Sequence, residues 1–224
     1  MSYRIEKDSL GELQVPIAAY YGIHTTRSLK NFQISRIKWH PSLIHSIVNL
    51  KRACAYANLE LGFLDEKKAA VIIKACKEVA DGFDDQFPLD IFQAGSGTST
   101  NMNVNEVIAN KAIEILGGKL GDKSVHPNDD VNKGQSTNNI IPSAIRIASY
   151  EHIEKLIKSL DHLNETLTIK STQFNDVLKS ARTHLQDAVP IRLGQEFNAY
   201  ATAIQKHILR LGESKQYLKE LGAG

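Results

Sequence analysis

Between Pro41 and Gly62, Leu43, Ile44, Ile47, Val48, Ala53 and Ala57 return at helical spacing, which predicts an amphipathic helix with one apolar stripe. A second helix is expected from Asp65, a side chain suited to capping, through Ala69, Ile72, Ile73, Cys76 and Val79 to a stop at Gly82. Residues 103–116, "NVNEVIANKAIEIL", carry a third helical pattern. Beyond Pro142 the stripe lengthens: Ile153, Leu156, Ile157, Leu160, Leu163 and Leu167 share one face, with charged residues opposite. Phe197, Ala201, Ile204, Ile208, Leu211 and Leu218 extend a near-heptad pattern along a last helix that is long for a globular protein.

The segments between these patterns are polar. Residues 1–40 carry turn signals at Gly11 and Pro16, with room for a short strand or two, and 84–102 and 117–139 are polar loops. The pattern predicts an all-α protein in two parts: a small helical N-terminal domain over residues 1–140, then the start of a central helix bundle over 141–224. Because "LKELGAG" signals a turn after a long helix, that bundle is expected to be incomplete.

Charge and cysteine content narrow the function. The 224 residues carry 27 basic and 25 acidic side chains, a formal net charge of +2, with no long block of one sign. Neither nucleic acid nor a membrane surface is favoured by such a balance, and a small-molecule ligand is the expectation. Cys54 and Cys76 both fall inside apolar helical patterns, as reduced core thiols do. The opening "MSYRIEKDSLGELQVP" lacks the apolar run of a signal peptide, so a cytoplasmic protein is expected.

Three polar segments carry the candidate chemistry. In "AGSGTSTNMN", residues 94–103, glycines allow close backbone approach while Ser96 and Thr98 offer neutral donors. In "HPNDDVNKGQSTNN", residues 126–139, His126, Asp129 and Asp130 lack an HxxxH or CxxC partner, so no metal site is expected. The "QSTNN" that ends this segment precedes a helix, where hydroxyls and amides can hold an anion. In "ARTHLQDAVP", residues 181–190, a cation, a hydroxyl, an imidazole, an amide and a carboxylate crowd together. All three segments offer Ser, Thr, Asn, Gln or His rather than clustered Lys and Arg. Such donors suit a carboxylate whose charge grows during reaction, without the desolvation cost of burying several cations.

"YYGIHTTRSLKNF", "QAGSGTSTNMNVNEVIAN", "HPNDDVNKGQSTNN" and "ARTHLQDAVPIRLGQEF" together resemble the aspartase/class II fumarase superfamily, in order and approximate spacing. The resemblance implies reversible elimination from a succinyl-type substrate to give fumarate, with no cofactor. It implies that Ser96, Thr98, Ser136, Thr137 and Asn138 bind substrate, and that Thr183 and His184 are catalytic, His184 by binding and polarisation first and as an acid second. His126, Asn128 and Asp129 match an accessory anion site. A homotetramer with active sites shared among subunits is implied as well.

Within the superfamily, "YYGIHT", the Ser136-Thr137 pair and "LQDAVPIRLGQEF" resemble aspartate ammonia-lyases, which makes L-aspartate the expected substrate. "GSGT" and "HPND" lean towards class II fumarases, with malate as substrate, and a non-catalytic dicarboxylate-binding or assembly module is a further alternative. Relatives commonly have His at the position of Asp130, Asp at that of Asn139 and Gly at that of Ala181. They also carry a GSSxMPxKxN loop holding the probable base, a motif these 224 residues do not contain, so the chain alone is expected to be inactive.

Overall fold

In the computed structural model, which describes residues 2–223, the chain opens with an antiparallel hairpin of Tyr3–Asp8 (β1) and Gly11–Pro16 (β2). Tyr3 faces Pro16 and Asp8 faces Gly11 across it. The helices are Ile23–Asn31 (α1), Pro41–Glu60 (α2), Glu66–Ala80 (α3), Thr98–Ile115 (α4), Thr137–Gln173 (α5) and Leu193–Tyr217 (α6). A second antiparallel hairpin, Leu178–Thr183 (β3) and Gln186–Arg192 (β4), lies between α5 and α6 in the chain. The protein is thus mostly helical, as its periodicity predicts. Its division into two compact units falls inside α5: one contains the residues from the first hairpin to Ala148, and the other is Ser149–Glu220.

The first unit is built on the predicted stripes. Ile47 and Val48 of α2, Ile72 and Cys76 of α3, Val104, Val107 and Ile108 of α4, and Ile140 and Ala144 of α5 are buried in one cluster. Each large aliphatic side chain removed from water there contributes about 1.5–3 kcal/mol. Asp65 Oδ1 accepts from Lys68 N at 2.9 Å and starts α3 where capping chemistry predicts.

Four stretches differ from the sequence reading. α1 has little apolar periodicity; its first N–H groups are collected by Glu106 of α4, whose carboxylate accepts from Gly22 N at 2.9 Å, His24 N at 2.8 Å and Thr25 N at 3.1 Å. α4 begins at Thr98 rather than near Asn103 because Gln93 Oε1 accepts from both Thr100 N (2.7 Å) and Thr100 Oγ1 (3.0 Å), turning a run of hydroxyl residues into a first helical turn. α5 begins at Thr137, before Pro142, because Ser136 and Asn139 cap it. Residues 178–192, read from the sequence only as a polar segment, form a hairpin.

Packing in the second unit turns on Gly194. A Cβ there would lie 2.3 Å from Ser171 O and 2.8 Å from Asn175 Cα. The hydrogen then allows Gly194 N to donate to Phe174 O at 3.0 Å and Ser171 Oγ to donate to Gly194 O at 2.8 Å, closing α6 onto the end of α5. Phe174 and Phe197 meet nearby with their rings tilted by 39° and 5.5 Å between centroids. Gly194→Ala is expected to destabilise this unit by about 1–3 kcal/mol, the usual cost of overpacking. Urea unfolding measures it, and an unchanged midpoint would contradict the packing described.

One core residue carries a charge question. Lys51 of α2 is fully buried, and burial pushes its amine down to about 7, against the pull of the neighbouring Cys54 and Cys76. In the unfolded chain it titrates near about 10.4. From pH 7 upward the unfolded state therefore holds the extra proton, and stability rises with pH. The buried Cys76 thiol, pushed up to about 12 by burial, acts in the opposite sense once unfolded thiols ionise. Between about pH 6.5 and 8.5 the melting temperature of the wild type is expected to climb more steeply than that of Lys51→Met. Parallel slopes would contradict a depressed amine.

Candidate functional site

The loop before α4 is shaped by backbone that few residues adopt. Ser96 and Gly97 have φ of 62° and 77°, in the left-handed region. Gly97 tolerates this without strain, and a Cβ at that position would also meet Ile141 Cγ1 of α5 at 3.2 Å. The loop can therefore lie close to the first turns of α5. Ser96, Gly97 and Asn138 line one cleft of about 550 Å³, with Trp39, Phe92 and Ile141 among its other walls. Trp39 Nε1 is buried without a hydrogen-bond partner among the described residues.

Two of the predicted binding residues are thus brought together: Ser96 and Asn138 face the same cleft, and both are exposed. Thr98 and Thr137 are half-buried and are not among the cleft's walls. Thr98 Oγ1 donates to Gly95 O at 3.2 Å, tightening the loop. Thr137 Oγ1 accepts from Asn101 Nδ2 at 3.1 Å, an arrangement that leaves the hydroxyl proton to donate elsewhere.

The N-terminus of α5 is a capping box with amide chemistry. Ser136 Oγ accepts from Asn138 N at 3.2 Å, and Asn139 Oδ1 accepts from Ser136 N at 3.1 Å. An aspartate at position 139 would accept the same bond, so the asparagine found here preserves the cap. The first turn of the helix presents Ser136, Thr137 and Asn138 in succession at the positive end of its dipole, a setting that favours an anion.

Behind this turn lies a set of residues that motif reading did not single out. Lys51 Nζ donates to Asn132 Oδ1 and to Gln135 Oε1, each at 3.1 Å. Asn132 Oδ1 also accepts from Asn101 Nδ2 at 3.2 Å, and Asn132 Nδ2 donates to Gln135 O at 3.1 Å. The available signal was Lys51 itself, which shares a helical face with Ile44, Ile47, Val48 and Ala55 where an apolar residue would be expected.

His126, Asn128 and Asp129 occupy a single turn. His126 Nδ1 accepts from Asp129 N at 3.1 Å, and Asn128 Nδ2 donates to Asp129 Oδ1 at 3.3 Å. Asp130 is buried beneath them, bonded to Lys68 Nζ at 2.8 Å and to His126 N at 2.8 Å. A carboxylate at position 130 therefore anchors the turn.

Thr183 and His184 lie in the second unit, at the end of the β3–β4 hairpin. Thr183 pairs with Gln186, and the two residues between them, His184 and Leu185, have φ of 49° and 61°. This is the backbone of a tight hairpin turn, which Asn-Gly adopts easily and a leucine does not. Both side chains are exposed at this tip, Leu185 at 92%. Asp187 braces the tip, with Oδ1 at 3.3 Å from Arg182 Nη2 and 3.2 Å from Ser180 Oγ. Ala181 stands at the bulge in β3 with φ outside the left-handed region, so no glycine is needed there.

Comparison with known proteins identifies the family of the chain. A family model described as Lyase matches residues 11–224. A class II fumarate hydratase of Halobacterium salinarum is 49% identical over 99% of this chain and 48% of its own length. An aspartate ammonia-lyase of Bacillus subtilis is 45% identical over 99% of this chain and 47% of its own. The chain spans about half the length of these curated relatives. A crystal structure of a fumarate lyase:delta crystallin from Brucella melitensis superposes with a TM-score of 0.93 at 44% identity, covering 98% of this chain and 52% of that one. The chain belongs to this lyase family, the superfamily of the aspartases and class II fumarases.

Proposed function

We propose that the protein carrying residues 1–224 eliminates water from L-malate to give fumarate, and adds it back in reverse. The observation that carries this reading is the convergence of Ser96, Gly97 and Asn138 on one cleft, beside a helix N-terminus and a Thr137 hydroxyl whose proton is free to donate. A dicarboxylate held there meets neutral donors. When a base removes the proton from the carbon beside a carboxylate, the electron pair moves onto that carboxylate. As the carbon–oxygen bond breaks, the pair returns to form the double bond and hydroxide leaves with a proton as water. Donors already aimed at the carboxylate stabilise the intermediate charge without having to reorganise.

Water is preferred over ammonia as the leaving group because relatives named class II fumarate hydratase reach 49% identity, against 45% for an aspartate ammonia-lyase, and "GSGT" and "HPND" agree with them. "YYGIHT" and "LQDAVPIRLGQEF" support the second reading, ammonia elimination from L-aspartate. Thr183 and His184, on a strained and exposed hairpin tip, suit delivery to a site of another copy in a homotetramer, with His184 polarising the substrate. His126, Asn128 and Asp129 form a separate accessory anion turn, in which an anion would displace the Asp129 carboxylate from Asn128.

The full-length protein, given L-malate and L-aspartate separately and followed by fumarate absorbance, is expected to form fumarate from malate. Formation from aspartate alone would overturn the leaving-group assignment, and formation from neither would overturn the lyase reading. Thr137→Val is expected to raise KM about tenfold, the loss of one hydrogen bond to a charged group.

A further inference from the structure

A lysine amine buried in an apolar core costs stability unless its N–H groups are hydrogen-bonded. Lys51 is 0% exposed, and its bonded partners are two side-chain amide oxygens rather than a carboxylate. A neutral amine has two N–H groups, and Asn132 Oδ1 and Gln135 Oε1, each at 3.1 Å, take one apiece. The titratable groups that face it are Cys54 on its own helix and Cys76 on α3; Arg52 acts on Cys76. Neither thiol supplies a counter-charge at neutral pH, since burial raises both.

The two amides that Lys51 holds belong to the turn leading into α5. Asn132 passes the constraint on: the same Oδ1 that accepts from Lys51 accepts from Asn101 Nδ2 at 3.2 Å, and that Nδ2 also donates to Thr137 Oγ1 at 3.1 Å. Gln135 closes the other side, with Nε2 donating to Val131 O at 2.9 Å and its own carbonyl accepting from Asn132 Nδ2 at 3.1 Å. Of these bonds, the one from Asn101 Nδ2 reaches the Thr137 hydroxyl directly, and the others hold Asn101 and the turn that leads into Thr137.

We propose that Lys51 is a positioning residue for the Thr137 hydroxyl, locking the 131–137 turn through Asn132, Gln135 and Asn101 so that the hydroxyl proton points to a substrate carboxylate. This rests on the reading that Thr137 binds the dicarboxylate. Lys51 touches no substrate; its action is on orientation, and networks of this kind transmit it because each bond polarises the next.

The test is a double-mutant cycle in the full-length protein, with whichever of L-malate and L-aspartate it turns over. Lys51→Met is expected to raise KM about tenfold while kcat falls less than about threefold. In a Thr137→Val background the same change is expected to add less than about twofold, because the hydroxyl it orients is gone. If Lys51→Met does not fold, Asn132→Ala breaks the next link and is read in the same way. A folded variant with unchanged KM overturns the proposal, as does an equal KM increase with and without the Thr137 hydroxyl, which would mark a general structural role. A silent Thr137→Val overturns both this proposal and the binding reading beneath it; a strong Thr137→Val effect beside a silent Lys51→Met overturns this one alone.

Discussion

Helix α4 is buried along nearly its whole length, yet much of what it buries is polar; Asn101 Oδ1 and Asn105 Oδ1 have no partner among the described residues, while other polar groups bond to the segments around the helix. Asn101 reaches Asn132 and Thr137, Asn103 Nδ2 donates to Gln86 O at 3.0 Å, and Glu106 gathers the start of α1. Asn110 Nδ2 donates to Tyr20 O at 2.7 Å while its Oδ1 accepts from Gly121 N at 2.7 Å. Leaving any one of these unpaired costs about 1–3 kcal/mol, so the connecting segments have little freedom to wander. The helix acts as a spine from which otherwise irregular chain is held in place.

That constraint explains how a site of neutral donors can be precise. Hydroxyls and amides attract an anion less strongly than lysine or arginine, and they stabilise growing charge only when already aimed at it. The loop before α4 and the capped start of α5 are both fixed from behind, the first by Gln93 on Thr100 and the second by Asn101 on Thr137. Left-handed backbone at non-glycine residues includes Ser96 before α4, beside Arg36 and Lys123 in the same unit, and His184 and Leu185 in the other.

Much of the fold was legible because it follows from periodicity. α2 and α3 lie within a few residues of their predicted bounds, and the α5 and α6 stripes sit on long helices. What escaped was set by long-range polar contacts: α1 depends on a carboxylate in α4, and the hydroxyl-rich first turn of α4 depends on a glutamine that caps it. The second hairpin escaped because its turn uses His-Leu where a hairpin signal would read Asn-Gly. Of the candidate site, Ser96 and Asn138 were readable from motifs, and the structure sets both on one cleft. Lys51, Asn132 and Gln135 were not, because a single lysine in an apolar stripe does not announce its partners.

A crystal structure of the full-length protein with fumarate bound examines the binding geometry itself. One carboxylate is expected within hydrogen-bond distance of Thr137 Oγ1 and Asn138, with Asn101 still bonded to Thr137. Fumarate seated only on the His126–Asp129 turn, with the cleft beside Ser96 empty, would contradict it.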